Sequence, residues 1–130
     1  MSLDTEENYI TLKTPFNSWK IERKIVKMSG LLSNIDSSDS EVELNTPDWI
    51  MSKIVDFMTY HYDKPVKPVK KPIPTSDITR LLDNWDVNFI DNMETSKIIE
   101  LANSADYYDI KDLITVCLTS LACDYKSKKF

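Results

Sequence analysis

In "NYITLK", Ile10 and Leu12 alternate with Thr11 and Lys13, the period-two pattern of a strand buried on one face. "TPFNS" then supplies turn residues, and Trp19 and Ile21 mark a second short strand, so a hairpin opens the chain. Ile25, Val26, Met28, Leu31, Leu32 and Ile35 follow at irregular helical spacing, broken by Ser29 and Gly30. This predicts two short helical turns in place of one continuous helix. The polar run "NIDSSDSE" reads as a solvated loop. Beyond it, Val42 and Leu44 in "EVELN" alternate as a third strand able to pair with the hairpin.

From residue 46 the period changes to that of a helix. Thr46, Pro47 and Asp48 form a start signal: a hydroxyl at the N-cap, proline at the first helical position and an early carboxylate. Ile50, Ile54, Phe57, Met58 and His61 recur at i, i+4, i+7, i+8 and i+11, which predicts an amphipathic helix to about Tyr62. Residues 63–76, "DKPVKPVKKPIPTS", hold four prolines and four lysines and cannot continue it. They are expected to form an exposed, mobile connector. Trp85 and Phe89, at i and i+4, predict a short helix that pins the end of the connector. Two further stripes follow, Ile98, Leu101, Ala102 and Ala105, then Ile110, Leu113, Ile114, Cys117, Leu118 and Leu121. No internal repeat is present, and strands followed by helices alone predict an α+β domain with helices packed on a small three-stranded sheet.

At 130 residues the chain is expected to be one cooperative domain over 1–126, with the connector inside it and a short tail at 127–130. An apolar fraction of 42% with 28% charged residues is enough to build a core. The formal net charge of −5 disfavours binding to nucleic acid or anionic lipid and favours protein partners. No apolar run approaches the roughly 18–20 residues of a membrane span, and "MSLDTEENY" lacks the apolar core of a signal peptide. An intracellular protein is expected, with Cys117 and Cys123 reduced and packed in a helix.

Candidate chemistry is sparse. His61 is the sole histidine, on the apolar side of its helix with no cysteine or second histidine at ligand spacing, so it reads as a packing or capping residue. No serine or cysteine lies in a nucleophile context, and Asp36, Asp39, Glu41 and Glu43 read as solvated loop charge. Gly30 is the sole glycine, which argues against phosphate-cradling loops. "PVKP" meets the bare spacing of a polyproline ligand, a weak motif better read as part of a soluble tether. No catalytic, metal-ligating or cofactor-binding residue is expected, and the chain is not read as an enzyme.

At "WDVNFI" and "ELANSADYYDIKDLI" the sequence resembles the S-phase kinase-associated protein (Skp) family, whose fold is of the BTB/POZ type. The matching residues are Trp85, Asp86 and Phe89, then Ala105, Asp106, Tyr107, Tyr108, Asp109, Ile110 and Lys111. "ITLKT" is similar to the family's first strand, and "EVELNTPDWIMSKIVDFMTYHYDKP" to its third strand, long helix and proline-rich connector. The resemblance runs from about Tyr9 to Lys126. The chain departs from the family in its "TPFNSW" hairpin, in Asp106 where asparagine is usual, and in Tyr108 where an aliphatic residue is usual. It stops at "KSKKF", where relatives continue into two more helices.

The resemblance implies an adaptor, located in cytoplasm and nucleus, that bridges a cullin scaffold to an F-box substrate receptor in an SCF-type ubiquitin ligase. Asp106 and Tyr107 would contact the cullin, Tyr107 as an exposed aromatic anchor and Tyr108 as a core residue. Ile114, Leu118 and Leu121 would form one wall of the F-box groove. Without the two further helices, F-box binding is expected to be weakened and the uncovered wall to self-associate into a homodimer at high concentration. The rival readings are an elongin-C-like adaptor, whose relatives lack the Trp-Asp segment, and a self-associating BTB module. Either could be a viral or parasite copy of a host adaptor.

Overall fold

A computed structural model describes residues 8–36 and 38–128; the first seven residues and the last two, expected as the ends of the domain and its tail, lie outside the described residues. The chain divides into two compact units, residues 1–64 and 65–130, and the boundary falls at the head of the connector.

In the first unit the alternating segment forms strand β1 (Tyr9–Lys13), paired antiparallel with β2 (Ser18–Glu22) so that Ile10 faces Ile21 and Leu12 faces Trp19. Strand β3 (Glu41–Glu43) lies parallel to β1 on its other edge, giving the order β2-β1-β3. Parallel pairing needs a crossover, and residues 23–40 supply it. They carry helix α1 (Arg23–Val26) and a 3-10 turn over Leu32–Asn34, the two short helical pieces that the broken spacing predicted. Ser29 between them is buried, and its Oγ accepts the Leu32 N–H at 3.0 Å. The arginine that opens α1 donates from its guanidinium to the carbonyl of Asp39.

Helix α2 (Asp48–His61) buries the predicted set Ile50, Ile54, Phe57, Met58 and His61, together with Met51. Its start differs from expectation. Pro47, with extended ψ, takes the cap position, and its carbonyl accepts the N–H groups of Ile50 and Met51 at 3.1 and 3.0 Å. The Asp48 carboxylate turns to the hairpin, accepting from Thr14 Oγ1 and, at 2.5 Å, from Asn17 Nδ2. A carboxylate in a helix's first turn suits the positive end of its dipole, and here it also ties that end to the turn. At the other end the His61 ring lies 4.4 Å from Phe57 and 4.9 Å from Tyr60, with Nδ1 2.5 Å from the Lys64 carbonyl. A carbonyl can only accept, so Nδ1 carries the proton, and the histidine packs and caps.

The second unit opens with the connector and a 3-10 turn at Ile78–Arg80, capped by Asp77, which accepts the Thr79 N–H at 3.1 Å. Helices α3 (Asn84–Ile90), α4 (Thr95–Tyr108) and α5 (Lys111–Ser127) follow. Trp85 and Phe89 stack at 5.2 Å along α3, and Asp86 between them is buried. Leu101, Ala105, Tyr108, Ile110, Leu113, Val116 and Cys117 are all almost fully buried. Its regular elements among the described residues are all helical, and with the three-stranded sheet of the first unit they make the chain α+β, as the pattern predicted.

Burial pushes the Cys117 thiol from an ordinary 9.0 up to about 12. The thiol pushed upward keeps its proton in the folded chain between pH 9 and 12, while the unfolded chain loses it. Stability is therefore flat below pH 9 on this account and falls as pH rises through the window, by at most about 1.4 kcal/mol per pH unit. Urea titrations at pH 8 and pH 10.5 should show a larger loss for the native sequence than for Cys117→Ala. Equal losses would place the titration elsewhere.

Candidate protein-interaction site

Two surfaces of the second unit carry exposed apolar side chains. The first is the corner between α4 and α5. Ile98, Leu101, Ala105 and Tyr108 fall at i, i+3, i+7 and i+10 along α4 and are buried. Tyr107, nine positions after Ile98, is about 180° away around the helix. It is 68% exposed, whereas Tyr108 is 1% exposed. The two rings meet edge to face at 5.0 Å and 83°, so the buried tyrosine buttresses the exposed one.

Helix α4 ends in a Schellman turn. Asp109 adopts the left-handed conformation (φ 55°, ψ 56°), its N–H bonds to the Asp106 carbonyl at 3.1 Å, and the Ile110 N–H bonds to the Ala105 carbonyl at 2.9 Å. Ile110 and Ala105 are both fully buried, the apolar pair that accompanies this turn. Aspartate tolerates positive φ better than most residues, which lets a chain with one glycine close the corner without it. The turn next to Tyr107 is thus closed by two backbone hydrogen bonds. Ile99, 45% exposed, with Asn103, Asp106 and Tyr107, occupies an arc of about 100° on the open side of α4.

The second surface is a groove of about 480 Å3 along α5. One wall is Ile114, Leu118, Ala122 and Tyr125, at i, i+4, i+8 and i+11; the other is Val69, Pro72 and Ile73 of the connector. Leu118 and Tyr125 are 49% and 70% exposed. The opposite face of α5 buries Leu113, Val116, Cys117, Ser120 and Cys123.

No family model matches the chain. It is 27% identical over 113 residues to an S-phase kinase-associated protein 1 homolog of Tetrahymena thermophila, across 84% of this chain and 68% of that protein. This similarity, over most of the chain, supports a place in the Skp family. The small three-stranded sheet and five α-helices among the described residues are consistent with a Skp-like fold.

Among the residues that the Skp resemblance singled out, Asp106 and Tyr107 lie together on the exposed corner, and Ile114 and Leu118 together on the groove. Leu121 does not join them. It lines a separate cavity of about 290 Å3 with Ile90, Ile98 and Cys123. At seven residues past Ile114 it sits only about 20° from it around the helix, on the boundary between the two faces, and packing assigns it to the far side. Sequence reading missed Ile99, which the buried stripe overshadowed, and the connector's part in the groove. The connector was expected to be exposed and mobile; most of it is exposed, but it is fastened to α5. The Val66 N–H donates to the Asp112 carboxylate at 3.3 Å, the Cys123 thiol to the Thr75 carbonyl at 3.8 Å, and Lys67 pairs with Asp83 at 2.9 Å. Burial, with the nearby Asp77 carboxylate, raises the Cys123 thiol above its ordinary range, so neither cysteine is an activated nucleophile.

Proposed function

We propose that this chain is an adaptor subunit of a cullin-RING ubiquitin ligase of the SCF type. Its sheet and helices are read as the BTB/POZ architecture. The α4–α5 corner, through Asp106 and Tyr107, contacts the cullin scaffold, and the groove wall of Ile114 and Leu118 holds a helix of an F-box receptor. The observation that supports this is Tyr107: a large aromatic left exposed beside a Schellman turn and a buttressing ring, at the position that the Skp resemblance assigns to the cullin contact. An exposed tyrosine braced by a neighbouring ring suits an interface anchor, because it buries much area for little lost side-chain freedom. An adaptor does its work by holding two partners and needs no catalytic residue of its own. The Trp85 and Asp86 pair favours a Skp-type over an elongin-C-type adaptor. Such an adaptor would act in cytoplasm and nucleus.

Reconstitution tests the proposal. The purified chain, mixed at micromolar concentration with each of a panel of cullin amino-terminal domains, should co-elute with at least one, and an F-box segment should join that complex without displacing the cullin. Failure to bind any cullin, or stable binding to an elongin-B-like subunit in place of F-box segments, would overturn it.

A further inference from the structure

The groove along α5 has a charge pattern at odds with the rest of the chain. Its lining includes Lys71 and Lys126 and no carboxylate, in a protein with 21 acidic and 16 basic residues. Lys71 comes from the connector wall and Lys126 from the last turns of α5, so each wall carries one ammonium. Neither makes an ion pair among the described residues, whereas Lys67 and Lys128 are paired with Asp83 and Asp124. The connector's sequence explains how its charge reaches this rim. "KPVKPVK" repeats every three residues, Val66 and Val69 are half-buried, and Lys64, Lys67 and Lys70 are exposed. The segment 63–76 holds four lysines against one acid, and its valines press it onto α5.

From this we infer that the groove selects an amphipathic helix whose apolar anchors are flanked by carboxylates, with Lys71 and Lys126 as the residues that read the flanking charge. The inference rests on the reading of this groove as the receptor site and adds the class of receptor segment it prefers. The apolar walls supply area but discriminate poorly among apolar helices. Two ammoniums without an ion-pair partner on the exposed rim favour acidic flanks and disfavour basic ones. Exposed pairs of this kind are each worth a few-fold in affinity, so the two together give about tenfold at low salt, shrinking as ionic strength rises.

The test uses three labelled helical peptides with identical leucine and isoleucine anchors at i, i+3, i+4 and i+7, flanked by glutamate, glutamine or lysine, read by fluorescence anisotropy against the full chain. The glutamate peptide should bind about tenfold tighter than the glutamine one at low salt and only about twofold tighter near 0.5 M salt. Lys71→Glu with Lys126→Glu should reverse the order so that the lysine peptide binds best; both residues are exposed on the surface, and circular dichroism checks that the variant stays folded. If Leu118→Asp abolishes binding of all three peptides while the double lysine variant leaves their order unchanged, the groove stands as the receptor site and the charge inference falls. If Leu118→Asp changes nothing, the receptor reading itself falls. A salt-insensitive dimer in sedimentation that Leu118→Asp dissociates would overturn the inference by giving the groove to a second copy of the chain.

Discussion

Tyr107→Lys should weaken cullin binding by about 30-fold or more, about 2 kcal/mol, and leave the melting temperature within a degree or two of the native chain. The side chain is 68% exposed, so little folding energy depends on it, and a lysine in its place loses the aromatic area and leaves an ammonium to be desolvated at the interface. Its neighbour should behave in the opposite way. Tyr108 is 1% exposed, and Tyr108→Ala should cost about 3–5 kcal/mol of folding stability through the cavity it leaves. Titration calorimetry with a cullin amino-terminal domain and urea denaturation of both variants would resolve the pair. Unchanged cullin affinity in Tyr107→Lys removes the corner from the interface, and a large stability loss in that variant removes it from the exposed surface.

The second large effect is expected in the groove. Leu118→Asp should lower affinity for F-box segments by about a hundredfold, because a carboxylate facing an apolar helix must be desolvated without a partner. Leu118 is 49% exposed before binding, so the fold should survive the change. Leu121→Ala should show the reverse: F-box binding within about threefold of native and a stability loss of about 1–2 kcal/mol, since this leucine lines the other cavity, with Ile90 and Ile98. Equal loss of F-box binding in both variants would restore Leu121 to the receptor wall.

Periodicity determined much of this protein by itself. Alternation at Ile10 and Leu12 gave one strand face and the stripe from Ile50 to His61 gave the buried side of α2, while the opposite fates of Tyr107 and Tyr108 were read from the Skp resemblance. These features are local: a repeat of two or 3.6 residues states which side of an element is apolar, whatever packs against it. The Skp resemblance was legible for the same reason, since the corner and Trp-Asp segments that carry it are each contiguous in sequence.

Only the tertiary structure decided where the faces divide and what covers them. Leu121 lies on the boundary between two faces of α5, where an angle read from sequence is too coarse to choose, and contacts from α3 and α4 place it away from Ile114 and Leu118. Pro47 takes the cap position expected of Thr46, and the Asp48 carboxylate is engaged by Thr14 and Asn17, residues more than thirty positions earlier. The proline-rich connector carries no regular period of its own that could fix its path. Its course along α5 is set by distant partners, Asp112, Asp83 and Cys123, and so the groove and its lysine rim existed nowhere in the sequence as a local pattern.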